Sequence, residues 1–200
     1  FRDCQSSGPQ LENEVVTAGI YEGTNLRLSV SLRLDGGVRT MQLNTGSFPC
    51  LTGAPTVCYE VALYTNVVEL PNNVSGYTIS RNGCCRVDGI TNIGGARSVG
   101  SNYVTKIPGT GSLAFGHNSS PQFLLKDTAL VCTRKNFVLD FGAIDPDADS
   151  LSYVFCDAYG ANSGSNNAQP ATNLTLSPLN YSNPFSGMSP LGDKVSINQA

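Results

Sequence analysis

Apolar and polar residues alternate through residues 25–34, where Leu26, Leu28, Val30, Leu32 and Leu34 are interleaved with Arg27, Ser29, Ser31 and Arg33. A repeat of two puts successive side chains on opposite faces of an extended chain, so this segment predicts a strand with one buried and one wet face. Asp35-Gly36-Gly37 follows, and the alternation resumes over residues 38–43. Glycine supplies the positive φ that a two-residue turn needs, so a tight hairpin is expected at Asp35-Gly36. The same reasoning predicts strands at 56–64, 67–70, 76–80 and 102–107, then at 122–126, 136–141, 151–156, 173–176 and 194–198. Turn clusters such as Pro71-Asn72-Asn73 and Asn92-Ile93-Gly94-Gly95 separate them, and residues 160–169 read as a flexible loop. No window repeats at 3.6 residues, so helices are expected to be few and short.

Many short strands at this spacing predict an all-β fold of two Ig-like or cadherin-like antiparallel sandwiches. The small polar run Asn118-Ser119-Ser120-Pro121 suggests the boundary, giving one unit at 1–120 and a second at 121–200. The second unit has fewer strands than an independent sandwich usually needs and is expected to be incomplete or to lean on the first.

Composition narrows the function classes. Charged residues make up 14% of the 200, the net charge is −3, and apolar residues reach 40%. Neither a disordered acidic tail nor a coiled coil has that balance, and there is no basic face for nucleic acid. No apolar run is long enough to cross a bilayer, so membrane insertion is not expected, and no leader pattern opens the chain at Phe1-Arg2-Asp3. Seven cysteines with no Cys-x-x-Cys spacing and a single histidine, His117, argue against zinc and for an oxidising compartment. Three disulfides and one leftover cysteine are expected, and the odd count suggests a polypeptide that continues. Cys132 and Cys156 bracket an acidic loop that a bridge between them would clamp. Cys50 and Cys58 have the spacing of a small closed loop, which leaves Cys4 to meet Cys84 or Cys85. The sequence does not choose among these connectivities.

The acidic loop is Asp145-Pro146-Asp147-Ala148-Asp149. Carboxylates at alternate positions can converge on a hard cation such as Ca²⁺, which takes several oxygen ligands, and Asp140 would add a fourth donor if the loop folds back. The competing explanation is a solvated turn in which aspartates cap nearby amides. Catalysis is not expected. His117 stands in a Gly/Ser-rich stretch without a triad partner, and the glutamates share no motif. Tyr153, Tyr159 and Tyr181 lie near loops and keep a glycan-binding module as the alternative to a structural one, although the chain has no Trp.

Taken in order, the motifs resemble those of the large extracellular proteins of Bacteroidetes exported by the type IX secretion system, many of which end in a gliding-motility-associated C-terminal domain. The matching stretches begin with Phe1-Arg2-Asp3-Cys4, Cys58-Tyr59-Glu60, Leu70-Pro71 and Gly76-Tyr77-Thr78-Ile79-Ser80. Cys84-Cys85-Arg86, Ile90-Thr91-Asn92-Ile93 and Asn118-Ser119-Ser120-Pro121-Gln122-Phe123 come next. The series closes with the segment 145–156, Asn183-Pro184-Phe185-Ser186-Gly187 and Val195-Ser196-Ile197-Asn198. The resemblance implies a secreted, non-catalytic structural or adhesive module of a cell-surface or filament protein. Its partners would be adjacent domains or identical subunits; missing terminal strands would either open an edge to strand donation or mean only that the chain is trimmed, and surface glycans belong to the glycan-binding alternative. It also implies a cadherin-like Asp-x-Asp-x-Asp calcium loop, in which Ala148 stands where glycine is common. Further strands before and after the chain, and O-glycosylation at Thr128 and Ser150 within Asp-Thr-Ala and Asp-Ser-Leu, are implied as well.

Overall fold

The computed structural model describes residues 1–43, 57–84, 86–87, 89–112, 117–124, 131–132, 134–161 and 170–199. Regular structure there consists of ten strands and three single turns of 3-10 helix. The strands are β1 (Arg2–Asp3), β2 (Val16–Glu22), β3 (Asn25–Leu43), β4 (Val57–Thr65), β5 (Tyr77–Gly83), β6 (Ser101–Ile107), β7 (Gln122–Phe123), β8 (Ala143–Ile144), β9 (Tyr159–Gly160) and β10 (Ser177–Pro178). All of their pairings are antiparallel. The chain is therefore all-β, of the antiparallel kind from which sandwiches are built, as the alternation predicts.

Two compact units emerge, and they are interleaved rather than consecutive. One comprises Phe1–Glu14, Arg33–Thr65 and Ser119–Leu151; the other comprises Val15–Leu32, Asn66–Asn118 and Ser152–Ala200. The expected division into 1–120 and 121–200 is thus not the one observed. The cause lies in β3, whose 19 residues belong to the second unit as far as Leu32 and to the first from Arg33 onward.

The same strand corrects the expected hairpin. Asp35 pairs with Leu63 and Val38 with Ala62, so Gly36 and Gly37 are extruded and the strand continues in its original direction. Both glycines take positive φ, 71° and 79°. That conformation suits a bulge as well as a turn, which is why the residue types alone mislead. The chain actually reverses at Gly23-Thr24, between the facing residues Glu22 and Asn25.

In the second unit the strands run in the order β3-β2-β5-β6-β9-β10. Strand β2 lies between β3 and β5 and is its most buried element, with Ile20 and Tyr21 each 2% exposed. Sequence periodicity misses this strand because Val-Thr-Ala-Gly-Ile-Tyr is nearly continuous in apolar character, as a strand covered on both faces requires. Ile20, Val30 and Tyr77 form one apolar cluster, supported by Leu32, Leu70 and Ile79. Ile93, Ala96 and Leu179 form another, supported by Ile90, Val99, Ala158 and Tyr181. The Tyr77 hydroxyl donates to the Pro71 carbonyl at 2.8 Å, and the Tyr21 hydroxyl to that of Ala171 at 2.9 Å. Buried hydroxyls are thereby satisfied without loss of packing.

The first unit has the ladder β1-β4-β3 and the short pair β7-β8. Among the described residues of this unit, the buried apolar side chains are Leu11 and Val61. Polar and covalent ties stand beside them. Arg2 faces Glu60 across the β1-β4 ladder, with its Nη1 2.7 Å from Glu60 Oε2, and both side chains are largely shielded from water. Beside this pair a disulfide joins Cys4 to Cys58.

Several expected strands do not form. Residues 67–70, 136–141, 151–156 and 195–198 are irregular, and Lys194 ends a 3-10 turn. The strand expected at 173–176 is reduced to a bridge between Asn25 and Asn173, with β10 following it. The part of the 122–126 strand that is described ends at Phe123.

Candidate functional site

Three carboxylates predicted to converge do so. One oxygen from each of Asp145, Asp147 and Asp149 lies within 4.8 Å of the others. The loop builds this geometry by local hydrogen bonding. Asp145 Oδ1 accepts from the Asp147 amide at 2.9 Å and the Asp149 amide at 3.3 Å, while the Asp145 carbonyl accepts from the Ala148 amide at 3.1 Å. Asp147 accepts from the amide and hydroxyl of Ser119. Ala148 has φ 62°, in the left-handed region that disfavours residues with a Cβ. The backbone thus adopts the turn that glycine would favour, and alanine bears the cost. Asp145 and Asp147 are half-buried and Asp149 is exposed.

Asp140 does not join them. Its Oδ1 accepts from the Gly142 amide at 2.8 Å, two residues along its own segment, and the three-residue cluster excludes it. The donor set is therefore three carboxylates rather than four. An all-oxygen set of this kind fits a calcium or similar hard cation better than a softer metal. The amides and the serine that bind Asp145 and Asp147 already neutralise part of the crowding.

The cysteines are distributed otherwise than their spacing suggests. Cys58 is bonded to Cys4, not to Cys50, across a separation of 54 residues. Antiparallel pairing of Asp3 with Tyr59 brings the two neighbours of those residues together, a long-range consequence that local spacing does not encode. Cys84 and Cys132 each take part in a disulfide as well. Cys156 is a free, exposed cysteine, so the expected Cys132–Cys156 clamp does not form. Residues 151–156 have no strand partner to carry the bridge. Cys50 and Cys85 lie outside the described residues.

Thr128 also lies outside them, whereas Ser150 is exposed directly after the acidic cluster. Tyr153, Tyr159 and Tyr181 are all half-buried. Tyr181 packs in the second apolar cluster, and its hydroxyl accepts from the Ala158 amide at 3.2 Å. Gln199 reaches the backbone amide and carbonyl of Tyr153. A surface cavity is lined by Gly89, Ile90, Thr91, Gly95, Ala96, Arg97 and Ser98, and none of the predicted site residues belongs to it.

No known protein family, no curated protein and no solved structure matches this chain.

Proposed function

We propose that the chain is a non-catalytic structural or adhesive module working outside the cytoplasm. The observation that carries the reading is the Cys4–Cys58 disulfide, in a unit whose buried apolar side chains, among the described residues, are Leu11 and Val61. A small β unit with few buried apolar side chains gains most from covalent closure, and such closure persists in oxidising surroundings. The low charge and the resemblance to secreted surface proteins support the same view. Asp145, Asp147 and Asp149 would hold calcium within this module, where the ion would neutralise three neighbouring carboxylates and stiffen their loop.

The test is surface labelling of intact native cells with an antibody against this chain, paired with non-reducing peptide mapping of the recovered protein. Surface signal with Cys4 linked to Cys58 is the expected result. A cytoplasmic protein with both thiols reduced overturns the reading. For calcium, the melting temperature should fall when the ion is chelated; at an ion concentration a hundredfold above Kd the lost stabilisation is about 2.7 kcal/mol. An unchanged melting curve removes calcium and leaves the module.

A further inference from the structure

Among the described residues, strand β3 has one edge unpaired in the first unit. Residues 33–43 pair with β4 along one side, with Asp35 facing Leu63 before the bulge and Val38 to Leu43 facing Ala62 to Val57 after it. Along the other side, no described residue pairs with residues 38–43. Those six residues are Val-Arg-Thr-Met-Gln-Leu, with Arg39 their single charge, and Met41 is 40% exposed. An exposed edge with so little charge is a template for another strand.

The same unit contains a segment suited to that edge. Residues 136–141, Asn-Phe-Val-Leu-Asp-Phe, have the β-branched and aromatic composition of a strand, yet they belong to no ladder. Val138 is 94% exposed, and Phe137 and Phe141 are each about half exposed. Within one chain the segment leads into β8, which is held by β7, and it stays unpaired. Exposed apolar residues grouped in this way mark an interaction surface.

We infer that residues 136–141 of one copy add antiparallel to residues 38–43 of β3 in a second copy of this chain. Charge and shape select the register. With Arg39 opposite Asp140, Met41 faces Val138 on the same side of the new ladder. Val38 then faces Phe141, and Thr40 faces Leu139, on the other side. A shift of two residues loses the ion pair, and a shift of one puts every side chain on the wrong face. Main-chain hydrogen bonds give such an addition its affinity, and the cross-strand pairs give it specificity. The inference extends the structural-module reading by naming the partner.

Sedimentation velocity over a hundredfold range of chain concentration tests it, since self-association must follow mass action. The wild-type chain is expected to associate. Arg39→Asp and Asp140→Arg, each replacing an attractive cross-strand pair with a repulsive one, should weaken association about fivefold. Combining them should restore it. Val138→Asp, at a side chain that touches little in its own fold, should weaken association without lowering the melting temperature. A wild-type chain that stays monomeric overturns the inference, as does association indifferent to these substitutions or a double reversal as weak as the singles. A monomer would leave the surface reading standing, because antibody labelling judges that reading separately.

Discussion

Ala148 concentrates the energetics of the acidic loop in one residue. Its φ of 62° carries the cost of a Cβ close to its own backbone, and the Asp145 carbonyl and carboxylate hold it there. Replacing Ala148 with glycine should therefore stabilise the chain by about 1 kcal/mol, read as a higher denaturant midpoint at unchanged slope. Stabilisation by Ala148→Val instead would mean the loop relaxes to negative φ. Tyr21 gives a pH-dependent counterpart. Burial raises the pKa of its phenol above the ordinary value of 10.0. Between those two values the folded chain keeps a proton that the unfolded chain has released, so unfolding gains from every rise in pH. Stability from this source is intact below about pH 10 and falls as pH climbs through the folded pKa. Melting temperatures from pH 8 to 11 should show that decline in the wild-type chain and a shallower one in Tyr21→Phe. Convergence of the three aspartates was legible in the sequence because an alternating loop motif acts locally. Cysteine pairing was not, since the Cys4–Cys58 contact depends on the register of two strands 54 residues apart.

Among the elements, legibility follows how each strand is covered. Strands β4, β5 and β6 have a wet side or a clear turn nearby and lie within a few residues of their expected positions, while β3 merges the two expected strands 25–34 and 38–43 into one. Strand β2 was missed because burial on both faces erases the alternation. Residues 136–141 and 151–156 fail in the opposite way. They have strand composition but no neighbour, and composition cannot supply a hydrogen-bonding partner. The Gly36-Gly37 bulge offers a sharp test of register. Exactly two residues separate Asp35 from Val38, and their ladder partners Leu63 and Ala62 are adjacent. Deleting both glycines joins the two halves of β3 without changing the face of any side chain. The double deletion should fold with a melting temperature near the wild-type value. Deleting Gly36 alone sends residues 38–43 to the opposite face, and should cost several kcal/mol or force a new bulge. Equal destabilisation by both deletions would show that the extruded loop, rather than the register, is what the strand needs.

For the whole chain, the contrast between the units sets how it should come apart. The second unit has two apolar clusters and a strand flanked on both sides. In the first, the described residues show the Arg2–Glu60 pair and the Cys4–Cys58 bridge beside buried Leu11 and Val61. Closing a loop of this length lowers the entropy of the unfolded chain enough to contribute about 4 kcal/mol, a large share of any small unit's stability. Replacing Cys4 and Cys58 with serine should therefore act unevenly. Amides of β4 and of residues 38–43 should exchange with solvent far faster, since local opening there no longer works against a covalent closure. Amides of β2, β5 and β6 should keep most of their protection, because the apolar packing around Ile20 and Tyr77 is untouched. Hydrogen exchange read by mass spectrometry resolves these segments within one sample. Equal loss of protection in both sets would mean that the units unfold as one, and that the disulfide supports the entire chain rather than the unit that contains it.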